Sequence, residues 1–395
     1  MTIDELLSRG VEEIIVESSL ESRLKSGKLR IKMGFDPTKP DLHLGHVVGL
    51  KILKQLQEMG HKIIFLIGDY TVRIGDPSGR NVSRPIISEE EIKENTNTYF
   101  KQVSLILDTK KVEIRRNSEW FEKINLAELI NLAGKLTVAQ IIERDDFQKR
   151  MKSGHDIGLH EMLYPLMQAY DSVILKADVE FGGTDQKFNM LAGRALQKKM
   201  DQKPQDIVMV KLLIGLDGKD KMSKSLGNYI AISDAPSEMY GKIMSIPDDL
   251  ILHYYELCTD VSVEAIKIIK KELNPPAGGG KNPRDVKAEL AKVIVETYYT
   301  ADDAEKASLE FDQVFSKRGK PSEIKTKKIT KNNIALEDLL MDIELASSKS
   351  EARRLIEQGG VELDEEKITD PKKTIEIKEG MVIKVGKRNF VKLKR

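Results

Sequence analysis

The chain has 395 residues, more than one hydrophobic core usually organises, so two or three domains are expected. Its 64 Lys and Arg nearly balance its 63 Asp and Glu, so global charge announces no nucleic-acid partner and any RNA contact must come from local clustering. The single Cys258 excludes an intramolecular disulfide framework and a Cys-based zinc site; no apolar run of membrane-spanning length and no leader-like start is seen, so the protein reads as soluble and cytoplasmic.

From about Leu29 to Leu216, apolar runs of strand length alternate with amphipathic stretches of helical length, the pattern of a parallel α/β sheet. Strands are predicted at Arg30–Phe35, Lys62–Ile67, Lys111–Arg115, Asp178–Phe181 and Ile207–Leu212. Between the third and fourth, a helical stretch from about Ser118 to Tyr170 is too long for a simple crossover and reads as an inserted subdomain. This predicts a Rossmann-like parallel-sheet domain over residues 1–228, the part that carries the motifs described below. After Asn228 helices take over, at Ala235–Met244, Asp249–Leu257, Val263–Leu273, Asp285–Tyr299 and Asp302–Val314, which predicts an α-helical domain over residues 229–320. Pro275–Gly280 reads as a surface loop within it. A charged linker follows, with seven basic residues against one acidic between Lys317 and Lys331. A small α+β domain then fills residues 333–395, with helices at Ala335–Leu340 and Lys349–Gln358, a stop at Gly359-Gly360, and short strands after it.

The first predicted strand runs into Gly34-Phe35-Asp36-Pro37-Thr38, then Asp41-Leu42-His43-Leu44-Gly45-His46, then a helix. Strand, turn and helix start are the parts that hold a nucleotide, because the free N–H groups of a first helical turn attract phosphate. Two imidazoles three residues apart should share one face over the phosphates, and Gly45 leaves room for a purine or ribose. Far along the chain, Asp217-Gly218-Lys219-Asp220-Lys221-Met222-Ser223-Lys224-Ser225 follows the last strand of the sheet. A solvated loop is the ordinary reading of such a stretch. Its ammonium groups could instead close over a triphosphate, and the loop, too polar to pack, is expected to stand open with Gly218 as pivot. The Walker pattern of mononucleotide kinases is absent.

Three further polar clusters lie between these elements: Gly75 to Arg80 with Arg84, Tyr164 to Asp171, and Gly182 to Gln186. Tyr164, Gln168 and Asp171 stand at i, i+4 and i+7, so a phenol, an amide and a carboxylate project from one helix face, a fit lining for a small polar zwitterion.

His43-Leu44-Gly45-His46 and Lys221-Met222-Ser223-Lys224-Ser225 resemble, in order and separation, the paired HIGH and KMSKS elements of class I aminoacyl-tRNA synthetases. With the three clusters, the resemblance sharpens to the tyrosyl-tRNA synthetase family in its bacterial form, over essentially the whole chain. It implies tyrosine activation by ATP, with magnesium accompanying the nucleotide and no tightly bound cofactor or dedicated metal site, followed by transfer to tRNA. Asp36, Asp76, Tyr164, Gln168 and Gln186 would then surround tyrosine, with Asp171 accepting from the phenol. Gly45, Gly183, Asp185 and Lys224 would meet ATP, and Thr38, His43, His46, Arg80, Arg84, Lys221, Lys224 and Ser225 would serve the phosphates. The resemblance also implies a homodimer formed through the inserted helices. One departure stands out: familiar members carry a phenol-binding Tyr where this chain has Lys32, a change that resembles a second bacterial subgroup.

The last thirty residues carry ten Lys or Arg against four acidic residues. The helix around Lys349, Arg353 and Arg354 resembles the RNA-binding helix of the domain first known from ribosomal small-subunit protein four, so these three would approach tRNA phosphates. Two rival readings remain: a tryptophan-specific relative, and a catalytically idle RNA-binding protein on the same scaffold.

Overall fold

The computed structural model describes residues 3–16, 20–78, 87–275, 279–316, 325–329, 332–346, 348–364, 366–386 and 389–394. Packing divides the chain into two compact units, residues 1–304 and 305–395.

The first unit is built on six strands: β1 (Val11–Ile15), β2 (Arg30–Phe35), β3 (Lys62–Ile67), β4 (Glu113–Arg116), β5 (Val179–Gly183) and β6 (Asp206–Val210). They lie in the order β1-β6-β5-β2-β3-β4, all parallel except β1, which runs antiparallel to β6. Helices cover both faces, so the central strands read as continuous apolar runs; Ile63 to Ile67 in β3 and Ile207 to Met209 in β6 are buried almost completely. β2 and β3 have the expected ends, while β4, β5 and β6 begin or end one or two residues from theirs. β1 was not expected: it is a short edge strand whose two glutamates face out, so it lacks the apolar run that marks its neighbours.

The chain moves from β2 to β3 and β4 on one side and to β5 and β6 on the other, so the strand order reverses between β2 and β5. A crevice opens at the carboxyl ends of strands flanking such a switch point. The helix Leu44–Glu58 follows β2 and buries Val47, Val48, Leu50, Leu53 and Leu56 against the sheet. Between β4 and β5 lie the inserted helices Ser118–Phe121, Leu126–Ala133, Val138–Ile142 and Asp145–Lys152, then the helix Tyr164–Leu175, which runs back over the crevice.

The helical region beyond Asn228 does not stand apart as expected. Leu44 donates to the Ile230 carbonyl, Ile232 to that of Leu42, and Tyr254 to that of Ile214, which ties these helices to the sheet layer. Arg9 adds four bonds to the carbonyls of Tyr255, Glu256, Thr259 and Val261 at the end of the helix Ile251–Cys258. The break in packing falls near residue 304 instead. Pro276 to Gly278, within the predicted surface loop, lie outside the described residues.

In the second unit, β7 (Lys325–Lys328), β8 (Asn333–Ala335), β9 (Val361–Leu363), β10 (Glu366–Ile368), β11 (Thr374–Glu376), β12 (Val382–Val385) and β13 (Asn389–Lys394) form a five-stranded sheet, β10-β9-β12-β13-β7, and a β11-β8 pair. The helices Leu336–Asp342 and Lys349–Glu357 close its core through Leu336, Leu339, Leu340, Ala352 and Ile356. Part of the expected linker is therefore sheet: β7 pairs in parallel with β13, although its sequence Lys-Thr-Lys-Lys carries no apolar residue to signal a strand. No described helix is long and apolar enough to cross a membrane.

Candidate active site

The crevice holds a cavity of about 270 Å³ whose two ends differ in chemistry. One end is the start of the helix Leu44–Glu58. His43 is its N-cap, in extended conformation, rather than a residue on the helix face, and its backbone N–H donates to Nδ1 of His46 at 3.1 Å. The two rings stack with centroids 3.7 Å apart. Burial, reinforced by the nearby lysine charges, pushes His43 down to about 3 and His46 well below the ordinary histidine value. Both imidazoles are thus neutral, and His46, accepting on Nδ1, carries its proton on Nε2. Among the described residues Nδ1 of His43 is buried without a hydrogen-bond partner. A Cβ at Gly45 would stand 3.1 Å from the His43 ring, which is why a bare residue separates the pair. Thr38 lines the same end.

The loop after β6 closes over this end, and here expectation and structure differ. Its polar sequence was expected to leave it open; instead Met222 is buried and donates to the Leu213 carbonyl at 2.7 Å, and Ser223 donates to Asn228 Oδ1 at 2.8 Å. Lys224 is buried too: its ammonium donates to the Tyr99 hydroxyl, lies 4.8 Å from that ring's centre, and reaches the Lys39 carbonyl at 3.4 Å. The aromatic face accommodates the charge that the sequence left unaccounted for. Lys221 pairs with Asp185, and Ser225 is exposed at the rim. Gly218 has φ +73°, and a Cβ there would strike Pro247 at 2.6 Å, so a side chain at this turn is excluded twice. Arg80 and Arg84 lie outside the described residues.

The other end is built by the helix Tyr164–Leu175, which turns Leu166 and Met167 into the core and Tyr164, Gln168 and Asp171 toward the cavity. Tyr164 donates to Asp36 Oδ2 at 2.9 Å, and Thr71 donates to Asp36 Oδ1 at 2.9 Å. Asp171, at the bottom, accepts from Trp120 Nε1 at 3.0 Å and Asn117 Nδ2 at 3.3 Å. Burial outweighs these donors and the Lys32 charge, and pushes its carboxyl up to about 8. Between the ends, Gln186 donates to Asp76 Oδ2 at 2.6 Å, and Gly183 sits beside Asp185 at the end of β5.

Lys32 is wholly buried. It faces Glu180 across the β2–β5 register, with Nζ 2.9 Å from Glu180 Oε1 and 2.6 Å from the Ser172 hydroxyl. Glu180 in turn accepts from Gln168 at 3.1 Å and from Gln205. Sequence reasoning named Lys32 only as a departure and missed Glu180, although a lysine between Ile31 and Met33 in β2 and a glutamate between Val179 and Phe181 in β5 were visible. Tyr99, Asn117, Trp120 and Arg144 were missed as well, reaching the site from elements far away in sequence, and so was Asn189, one turn after Gln186. Among the described residues no group of three or more His, Cys, Asp or Glu is placed to hold a metal ion.

The family described as class I tRNA synthetases for tryptophan and tyrosine matches residues 24–316, and a tyrosine–tRNA ligase C-terminal domain matches residues 314–393. The tyrosine–tRNA ligase of Dehalococcoides mccartyi is 48% identical over 99% of this chain and 98% of its own length. Those of Moorella thermoacetica and Thermotoga maritima are each 49% identical over 98% of this chain, and over 94% and 96% of their own lengths.

The chain belongs to the tyrosine–tRNA ligases.

A tryptophan-specific relative is accordingly not favoured. Solved structures bear out the class I synthetase fold. A C-terminally truncated mitochondrial tyrosyl-tRNA synthetase from Aspergillus nidulans superposes with a TM-score of 0.64 at 24% identity, over 80% of this chain and 94% of that one. One from Archaeoglobus fulgidus, complexed with L-tyrosine, gives 0.60 at 24% identity, over 77% and 98%.

Proposed function

We propose that the cavity is where tyrosine and ATP condense to tyrosyl-adenylate and pyrophosphate, before the tyrosyl group passes to the 3′ end of tRNA(Tyr). The observation that carries this reading is one cavity with a buried carboxyl at one end and neutral imidazoles and lysines at the other. Asp171 takes the phenol hydroxyl, while Tyr164, Gln168, Asp36 and Asp76 surround the ammonium and Gln186 the carboxylate. Asp185 and Gly183 meet the ribose and Gly45 the purine side.

The tyrosine carboxylate attacks the α-phosphorus in line and pyrophosphate departs. No side chain need become a nucleophile: Thr38, His43, His46, Lys221, Lys224 and Ser225 position the phosphates and offset charge on the leaving group, with Arg80 and Arg84 assigned to the same task by their sequence position. His46 offers an N–H rather than a charge. Magnesium enters on the ATP phosphates and water.

Lys32, buried and ion-paired with Glu180, supports membership of the second bacterial subgroup, with hydroxyl recognition resting on Asp171. Lys349, Arg353 and Arg354 in the C-terminal unit approach tRNA backbone phosphate, and the protein works as a cytoplasmic homodimer joined through the inserted helices. Pyrophosphate exchange measured with each amino acid tests the central reading: exchange with tyrosine is expected, and exchange with tryptophan in its place would overturn it.

A further inference from the structure

Behind the wall of the cavity lies a ring of polar groups organised by Arg144, which stands at the N-cap of the helix Asp145–Lys152 in the insertion. Its guanidinium is 3% exposed and lies over Phe147 and Phe188, 5.1 and 5.6 Å from their ring centres. Asp146 accepts from Nε at 3.0 Å and offsets the charge. Nη1 donates to Asn189 Oδ1 at 2.6 Å, and Nη2 donates to the Ser78 hydroxyl at 3.0 Å.

An arginine has donors and no acceptor, so every amide joined to it has its direction set. Asn189 must present oxygen to Arg144 and therefore gives its N–H to Gln186 Oε1, at 2.9 Å. Gln186 must then present its own N–H₂ to Asp76 Oδ2, at 2.6 Å, with the Ser78 hydroxyl 3.4 Å away. Ser78 closes the ring, its backbone N–H donating to Asp76 Oδ1 at 2.9 Å. Asp76 and Gln186 line the cavity, whereas Asn189 is buried behind them.

We infer that Arg144 is a positioning residue for the amino-acid end of the site: through Asn189 and Ser78 it fixes which way the Gln186 amide and the Asp76 carboxylate face the α-ammonium and carboxylate of the substrate. This rests on tyrosine occupying the cavity as proposed above. Without the guanidinium, Asn189 is free to turn over, and Gln186 can then aim oxygen at Asp76 or at the substrate carboxylate, both of which repel it.

The test is steady-state pyrophosphate exchange by the full-length protein with Asn189→Asp and Arg144→Lys. Aspartate keeps the acceptor for Arg144 but has no N–H for Gln186; lysine keeps the charge but cannot serve both branches at once. KM for tyrosine should rise about tenfold or more in Asn189→Asp, the scale of one hydrogen bond to a charged group. KM for ATP should change less than about twofold, and Arg144→Lys should fall between Asn189→Asp and wild type. An unchanged KM for tyrosine in folded Asn189→Asp overturns the inference, as does an equal rise in both KM values. Absence of tyrosine-dependent exchange in the wild-type protein would bring down the tyrosine reading itself.

Discussion

Replacing Asp171 by Asn should reduce the preference for tyrosine over phenylalanine and abolish its dependence on pH. The carboxyl is almost fully buried and titrates near 8, so it is mainly protonated at neutral pH and ionised above. A hydrogen bond to a charged group is worth roughly 1.5–3 kcal/mol and one between neutral groups roughly 0.5–1.5. Phenylalanine leaves the acceptor unmet in either state, so the charged state discriminates better by about 1–1.5 kcal/mol, or about tenfold. Sites that bind a hydroxyl reject the analogue lacking it by up to about 10⁵, a scale taken from this enzyme family itself. The wild-type ratio of kcat/KM for tyrosine and phenylalanine should therefore rise about tenfold as pH passes through about 8, and Asp171→Asn should give a low, flat ratio. Stability moves the opposite way. The folded state holds this proton up to about pH 8 and the unfolded state releases it near 4, so wild type loses stability as pH rises between those values, by up to about 1.4 kcal/mol per unit, and the Asn variant does not. Because Asn can satisfy only one of Trp120 and Asn117 as an acceptor, folding should be checked by thermal denaturation, with a loss of about 1–3 kcal/mol expected. A wild-type ratio flat across this range, or an Asn variant with undiminished discrimination, would refute the reasoning.

Lys224→Met should slow single-turnover adenylate formation by about 10²–10³ with little change in ATP binding, since it removes the charge proposed to act on departing pyrophosphate; a weaker ATP affinity with an unaltered forward rate would make Lys224 an anchor only. Lys32→Met strands the Glu180 carboxylate and should cost about 3–5 kcal/mol in denaturant unfolding, most of it restored by adding Glu180→Gln; equal stability of the single variant would show that the pair is not held as described. In the C-terminal unit, Lys349 pairs with Asp338 at 2.6 Å and Arg353 with Glu337 at 2.5 Å, while Arg354 is exposed. Arg354→Ala should accordingly raise KM for tRNA more than Arg353→Ala and lessen its salt dependence, leaving pyrophosphate exchange intact; the reverse order would mean that the ion pairs open on binding.

What was legible in the sequence followed the strength of local signals. β2 and β3 were placed to the residue because continuous apolar runs between turn residues have few alternatives. β1 and β7 were missed because edge strands need only one buried face, or none that shows in composition. Residues in short motifs were found together: Thr38, His43, Gly45, His46, Lys221 and Lys224 do line one cavity. Their supports were not found, since a hydrogen bond such as Tyr99 to Lys224 joins positions 125 residues apart and Asn117 to Asp171 joins positions 54 apart. Local periodicity carries no information about such pairs. The error over the loop after β6 has the same origin: counting its polar groups could not reveal that an aromatic face and two carbonyls were waiting for them.

That correction changes how the two lysines should act. Lys221 pairs with Asp185 where both side chains are partly exposed, 34% and 23%, and such pairs contribute at most about 1 kcal/mol. In the proposed reaction, exchanging Asp185 for a phosphate oxygen would therefore cost little and would release Asp185 to accept from the ribose. Lys224 is held differently, against the Tyr99 ring and hydroxyl, and Tyr99 in turn donates to the Asp36 carbonyl at 3.3 Å at the end of β2. Its ammonium is desolvated and placed before any nucleotide arrives, so little solvent must reorganise when charge develops near it. The imidazoles beside it are neutral first because they are buried, and the charges of Lys224 and Lys221 in the same corner add to that. Among the described residues, the phosphate end of the cavity thus takes positive charge from Lys221 and Lys224 of one loop and uses the histidines as uncharged hydrogen-bonding groups, so loss of Lys224 should appear in the rate of phosphoryl chemistry and loss of Lys221 more in the handling of the ribose.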